Sequence, residues 1–302
     1  MSGSDSEVSH SSVAVCVVNV CGKIVPVRPQ MKWAKGAPVI DQKPCVLVTG
    51  ASRGIGAAIV DAMLPSVEFI SLGRTKNSKI LNHLEWDLSE HLNGQKYADL
   101  DKLLKGKNVL GLLHCAGLLG PVGRLADAKL EQGNNKNLTQ AEKFSQNFNA
   151  TMHVNALAVV PLVEYLLPYF KNYPKHENAW GQPFIFHLSS GAAINAYAGL
   201  DAYCASKAAA FMHFKTLAAN IEATELTCLS VAPGTIMTDM MSQILGSSEQ
   251  ALPAVPHFKS LQADGLLVAP EQSGAQIAQF LGVKAELLRT FHGQWHDFRK
   301  FK

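Results

Sequence analysis

Apolar residues along the chain occur in two kinds of run, and the two kinds alternate. Short stretches bounded by turn residues, several of them continuously apolar, predict strands at 45–49, 68–72, 82–86, 109–114, 183–188, 226–231 and 294–298. Longer amphipathic runs between them predict helices at 54–64, within 97–105, and at 140–170, 202–221 and 271–282. Strands that alternate with helices are typical of a doubly wound parallel sheet. We therefore expect one α/β domain over residues 43–302, with about seven parallel strands and helices on both faces.

The first 42 residues have a different composition. Serines dominate the first positions, and Pro26, Pro29 and Pro38 interrupt any regular pattern later. A β-prone run at 13–20 is too short to cross a bilayer. We expect residues 1–42 to form a disordered tail, and Met31 is an alternative start of translation.

Composition excludes several classes of protein. A net charge of +3 on 302 residues does not indicate a nucleic-acid partner, and no apolar run approaches the roughly 18 residues that span a membrane. The cysteines from Cys45 onward fall in apolar strands or beside other motifs, which is typical of a reducing compartment. No Cys or His pattern predicts a metal site. We expect a cytoplasmic protein.

A glycine-rich octapeptide, 49–56, joins the first predicted strand to the first helix. Its glycines let the backbone turn tightly and approach a ligand, and the following helix directs free N–H groups at an anion. This chemistry suits the pyrophosphate of a dinucleotide. The candidate binding residues are Gly50, Ser52, Arg53, Gly54, Ile55 and Gly56.

A second motif places Tyr203 and Lys207 one turn apart on a predicted helix. An ammonium close to a phenol lowers the pKa of the phenol toward the working pH, which makes it a usable general acid. Ser190 follows another predicted strand, at the end where α/β sheets bind ligands. Its hydroxyl can donate to a developing alkoxide.

Together these motifs resemble the short-chain dehydrogenase/reductase family over about Lys43 to Phe298. The resemblance implies a Rossmann-type fold and adds Asn155 to the catalytic group, where it would kink its helix and hold a water that links Lys207 to solvent. It also implies that Pro233, Gly234, Ile236 and Thr238 cover the nicotinamide. Within the family the chain is most similar to fungal benzil reductases and, more loosely, to sepiapterin reductases.

One motif departs from the family, whose fourth strand usually ends in Asn-Asn-Ala-Gly. Here the strand runs into His114-Cys115-Ala116-Gly117, and Cys115 cannot make the hydrogen bonds of an Asn amide. Ala116 and Gly117 still permit the nucleotide to approach closely.

The second strand predicts which dinucleotide binds. It ends at Arg74 without the acid that holds a ribose 2′-hydroxyl, and Arg53 supplies a second cation, so NADP(H) is favoured over NAD. Asp87, at the end of the next strand, matches the family's adenine-contacting acid or is only a helix cap.

The predicted activity is NADPH-dependent reduction of a carbonyl, with Tyr203 as the acid, Ser190 polarising the carbonyl, and Lys207 binding the nicotinamide ribose. A lid over about 238–267 is rich in apolar residues, which favours an apolar ketone or 1,2-diketone. One alternative is a catalytically weak NADP(H) sensor on the same fold, and another is a polyol, steroid or acyl-carrier-protein dehydrogenase. Apolar residues on more than one face of the helices around Asn155 and Tyr203 predict a homodimer.

Overall fold

The computed structural model describes residues 16–20, 23–27, 43–91, 93–123 and 139–300. Near the N-terminus, β1 (Cys16–Val20) and β2 (Lys23–Val27) pair antiparallel with each other. The remainder of the predicted tail lies outside the described residues, so its disorder stays a prediction.

The central sheet has seven parallel strands, and this confirms the predicted fold class. Its strands are β3 (Cys45–Thr49), β4 (Glu68–Gly73), β5 (Asn82–Glu85), β6 (Val109–His114), β7 (Phe184–Leu188), β8 (Thr227–Ala232) and β9 (Trp295–Asp297). They lie in the order β5-β4-β3-β6-β7-β8-β9. The chain moves outward to β4 and β5 on one side of β3, and to β6 and the later strands on the other. In such sheets the crevice at this switch point binds ligands, here at the carboxyl ends of β3 and β6.

Helices cover both faces of the sheet. The helices are α1 (Gly54–Met63), α2 (Gly94–Leu104), α3 (Gln140–Met152), α4 (Val159–Lys171), α5 (Asp201–Asn220), α6 (Asp239–Leu245), α7 (Val255–Ala263), α8 (Pro270–Leu281) and α9 (Ala285–Arg289). Buried side chains of α2, α4 and α5 pack on one face, and those of α1, α8 and α9 pack on the other. Each face of the sheet therefore has its own apolar core.

The helix predicted over 140–170 is divided by a π-helical segment at 153–157, which separates α3 from α4. Pro161 supplies a local reason, because it has no N–H to donate and its ring crowds the carbonyl one turn earlier. The whole run 140–171 is long and apolar enough to cross a membrane by length and composition. Half of its most apolar window is buried inside the protein, as in core helices of soluble folds. Asn155 is the central residue of this π-helical segment.

The predicted lid contains two helices, α6 and α7, that the hydrophobic pattern did not indicate. The side chain of Thr238 caps α6 by accepting a hydrogen bond from the N–H of Met241. Both helices are short, so their apolar spacing gives little periodic signal. They hold the lid over the carboxyl ends of β6 and β7 through contacts with Leu119 and Leu200.

Candidate active site

The glycine loop turns closely against the end of β6. Gly50 has φ +72°, and a Cβ on it would lie 2.5 Å from the N of Ala116. A Cβ on Gly56 would lie 2.2 Å from the carbonyl oxygen of Gly50, and Gly54 has φ +58°. These positions therefore require glycine. The N-cap of α1, Arg53, is extended and its side chain caps no N–H group, which leaves the first N–H groups of α1 available to an anion.

Ser52 is exposed and Ile55 is half-buried at this turn. Across the crevice, a Cβ on Gly117 would lie 3.7 Å from Oδ1 of Asn155 and 3.8 Å from Nζ of Lys207. The backbone of Gly117 thus forms a wall between the glycine loop and the catalytic side chains. A dinucleotide fits this cradle, because its pyrophosphate would lie on the α1 N-terminus and its nicotinamide end beside Lys207.

Ser190, Tyr203 and Lys207 come together at the carboxyl end of β7. Ser190 begins a short 3₁₀ turn, and its hydroxyl accepts a hydrogen bond from the N–H of Ala192 at 3.2 Å. Lys207 Nζ lies 5.8 Å from the centre of the Tyr203 ring and donates to the carbonyl of Leu188 at 2.8 Å. The helical spacing of the Tyr–Lys pair therefore places both groups on the face of α5 that meets β7.

Burial controls the ionisation of this pair. It raises the pKa of Tyr203 to about 12, and a hydrogen bond with Ser190 acts in the opposite direction. It also lowers the pKa of Lys207 to about 8. The sequence predicted a lowered pKa for Tyr203 because of Lys207; that prediction is wrong for the net shift, since removal of the phenol from water is the larger effect. The phenol is consequently protonated near neutral pH, as a general acid must be.

Asn155 is fully buried, and both polar atoms of its side-chain amide form hydrogen bonds. Its Oδ1 accepts from the N–H of Leu118 at 2.7 Å, and its Nδ2 donates to the Leu118 carbonyl and to Ser206 Oγ, both at 2.9 Å. The side chain thus fixes the loop after β6 against α5. Sequence reasoning missed Ser206, although its position directly before Lys207 was a signal.

Arg74 and Asp87 follow the carboxyl ends of β4 and β5. Arg74 Nη1 lies 3.8 Å from Asp87 Oδ2, at a surface pocket of about 400 Å³ that also includes Trp86 and Lys96. Asp87 accepts hydrogen bonds from the N–H and hydroxyl of Ser89, which lower its pKa. This pocket is compatible with both roles predicted for Asp87, a contact with adenine and a turn cap.

The segment after β8 runs from the carboxyl end of that strand to the lid. Pro233 precedes Gly234, which has φ +94°, and Ile236 is buried and bridges to Val268. Thr238 then starts α6. This segment therefore lies between the glycine loop and the lid, and the methyl group of Thr238 would be 3.6 Å from a Cβ on Gly54.

An apolar cluster connects the lid to the catalytic tyrosine. Its members come from the loop after β6, from the residues before α5 and from the lid, and the partly buried Tyr203 and Cys204 pack against them. The apolar residues of the predicted lid that belong to this cluster or pack against it include Met240, Met241, Ile244, Leu245, Leu252, Val255 and Phe258. The surroundings of Tyr203 on the lid side are thus predominantly apolar. Within the described residues, no cluster of three potential metal ligands occurs.

Comparisons with known proteins agree with this geometry. A family model described as short chain dehydrogenase matches residues 44–248. Proteins named benzil reductase ((S)-benzoin forming) are similar to the chain: that of Bacillus cereus is 26% identical over 253 residues, covering 78% of this chain and 93% of its own. The Saccharomyces cerevisiae protein is 27% identical over 252 residues, covering 78% and 89%.

Sepiapterin reductase of Mus musculus is 28% identical over 247 residues, covering 79% of this chain and 90% of its own. The crystal structure of the KRED1-Pglu enzyme superposes with a TM-score of 0.65 at 23% identity, covering 84% of this chain and all of that one. At this identity the structural likeness shows the fold alone. The resemblance to benzil and sepiapterin reductases is confirmed by these relatives.

Proposed function

Because the chain belongs to the short-chain dehydrogenase family, which uses a nicotinamide dinucleotide, we propose that it uses NADPH to reduce an apolar ketone or 1,2-diketone to the alcohol. The observation that carries this proposal is that Tyr203, which lies beside Ser190 and Lys207, also packs against the apolar cluster of the lid. The polar catalytic groups and the apolar surface of the lid therefore lie side by side.

Each catalytic side chain has a role that follows from its chemistry. When bound, the nicotinamide supplies the hydride. Ser190 donates a hydrogen bond to the carbonyl oxygen, and Tyr203 transfers its phenolic proton to that oxygen as negative charge develops. Lys207, whose pKa is about 8, is mostly an ammonium at neutral pH and stabilises the phenolate that remains.

The preference for NADPH rests on positive charge at the adenosine end. Arg74 is 68% exposed at its side chain and lies at the pocket beside β4, where a ribose 2′-phosphate would bind. Guanidinium groups bind phosphate through paired, charge-assisted hydrogen bonds. Arg53 lies beside the glycine loop and supplies a second cation.

The preference for an apolar substrate rests on the lid and on the relatives. Met240, Leu245 and Phe258 are only partly buried around the cluster that contacts Tyr203. Flexible side chains such as methionine adapt to ligands of different shape. Proteins named benzil reductase are similar to this chain over most of its length.

A direct assay tests the proposal. Oxidation of NADPH should follow addition of an aromatic 1,2-diketone such as benzil, with a clear preference over NADH. Tyr203→Phe should lower kcat at least about 100-fold, because general acid catalysis typically contributes that much. Tyr169→Phe, which removes a hydroxyl bonded to Asp101 on α2, is the matched control and should retain activity.

Two results would contradict the proposal. Tyr203→Phe with wild-type kcat would remove the tyrosine from the mechanism. Tight binding of NADPH without turnover of any ketone or diketone would instead support the sensor alternative.

A further inference from the structure

A continuous series of buried hydrogen bonds connects the glycine loop to the catalytic helix. Thr49, at the end of β3, lies opposite His114, at the end of β6, and Thr49 Oγ1 is 2.9 Å from His114 Nδ1. His114 Nε2 lies 3.1 Å from the backbone carbonyl oxygen of Asn155. Asn155 then bonds Ser206, whose hydroxyl donates to the carbonyl of Tyr203 at 2.8 Å. All four linking side chains are at most 1% exposed.

The chemistry of the partners fixes the direction of each bond. A carbonyl can only accept, so Nε2 of His114 carries the proton and donates to Asn155. Nδ1 is then an acceptor, and the hydroxyl of Thr49 must donate to it. The oxygen of Thr49 in turn accepts from the N–H of Ala116 at 3.3 Å. No step of the series leaves two donors or two acceptors facing each other.

His114 stays in the form that this series requires. Burial and the charge of Lys207 lower its pKa to about 4, while the bond to Asn155 acts in the opposite direction. A neutral imidazole keeps Nδ1 free to accept from Thr49. His187 on β7 stacks beside it with ring centres 6.0 Å apart.

We propose that His114 is a positioning residue, which fixes the π-helical segment around Asn155 and thereby holds α5, with Tyr203 and Lys207, in register with the glycine loop. It stands at the position of the first Asn of the family's Asn-Asn-Ala-Gly motif, and Cys115 stands at that of the second. Because it links the two halves of the site, a displaced His114 would separate the proton donor from the cofactor side. The effect of His114 on catalysis rests on the proposed function.

A second Ser/Thr–His pair in the same sheet provides a matched control. Ser71 on β4 lies opposite His83 on β5, and Ser71 Oγ is 2.9 Å from His83 Nδ1. The bond is chemically similar, but among the described residues no second hydrogen bond of His83 leads toward α5. Replacing His83 therefore reports the cost of losing such a pair without disturbing the series.

The first experiment needs no activity. Nitrogen-15 NMR of histidine-labelled protein, with His114→Gln to assign the signal, should show the Nε2–H tautomer at neutral pH. Amide hydrogen exchange should then accelerate about tenfold or more at Leu118 and over residues 201–207 in His114→Leu. His114→Gln should remain near wild type, since its amide N–H₂ can reach the position of Nε2. His83→Leu should leave both segments unchanged.

The second experiment measures turnover of the same variants. His114→Leu should lower kcat about tenfold or more with little change in KM for the ketone, because misplaced catalytic groups affect the transition state most. His114→Gln should restore kcat to within about threefold of wild type, and His83→Leu should match wild type.

Three results would overturn the inference: an Nδ1–H tautomer, unchanged exchange at Leu118 in His114→Leu, or equal loss of kcat in the Gln and Leu variants. The proposed function fails separately, because an inactive wild-type protein would leave the tautomer and exchange results unaffected.

Discussion

At the scale of single residues, Lys207 carries an ammonium that is only 4% exposed. Burial lowers its pKa from the ordinary 10.5 to about 8, so the folded protein releases this proton before the unfolded chain does. Between these two pH values the unfolded state binds more protons, and the free energy of unfolding therefore rises with pH. At neutral pH the buried charge of Lys207 therefore lowers the free energy of unfolding. The protein retains this charge because of its position beside Tyr203.

Lys207→Met tests this cost. Relative to the Met variant, wild type should gain roughly 2 kcal/mol of unfolding free energy between pH 7 and pH 9.5, since one pKa unit corresponds to about 1.4 kcal/mol. Urea unfolding at both pH values measures the difference. Lys215→Met, which removes an exposed lysine of the same helix, is the control and should show no such trend. A constant difference between wild type and Lys207→Met would contradict the prediction.

At the scale of elements, helix α6 is tied to the glycine loop by an ion pair. Arg53 Nη1 lies 3.1 Å from Asp239 Oδ2, and both side chains are exposed. Such a pair contributes little to stability. The proposed function predicts that Arg53 also binds a phosphate of the cofactor, so Asp239 on α6 and the dinucleotide would compete for the same guanidinium.

Asp239→Asn should therefore tighten NADPH binding by about two- to fivefold, consistent with the modest energy of an exposed charge pair. The effect should weaken as salt increases, because exposed charges are screened. Titration of NADPH by fluorescence measures it. Asp61→Asn on α1, which breaks an exposed ion pair with Lys79, is the control. Unchanged or weaker binding in Asp239→Asn would place Arg53 outside the phosphate site.

At the scale of the whole molecule, α4 and α5 bury most of their apolar residues within the chain itself. Leu162, Leu166 and Phe214 belong to the core beneath the sheet. Two large apolar side chains remain exposed around these helices: Leu157 is 49% exposed and Met212 is 57% exposed. The predicted homodimer therefore depends on a smaller apolar surface than the sequence suggested.

Light scattering should give the mass of a dimer at micromolar concentration. Met212→Asp should shift the protein toward monomer, because the interface would bury an unpaired carboxylate. Leu81→Asp, at another exposed apolar side chain on the β4–β5 connection, should leave the mass unchanged. A monomeric wild type would contradict the prediction.

Local patterns in the sequence determined the sheet and the identity of the central motifs. All seven strands of the central sheet were predicted, and the central ones are continuously apolar because they are buried on both faces. The glycine positions followed from the turn between β3 and α1, and the spacing of Tyr203 and Lys207 placed them on one face of a helix.

Tertiary structure alone decided the ion pairs, hydrogen bonds and pKa shifts that depend on residues distant in the sequence. Arg53 and Asp239 lie 186 positions apart, and no local pattern indicates their pairing. The bond from His114 to Asn155 joins β6 to the π-helical segment, and the pKa of Tyr203 is raised by burial against residues that lie far away in the sequence. Spacing along the chain encodes which face a residue occupies, whereas its burial and its partners are set by the elements that pack against that face.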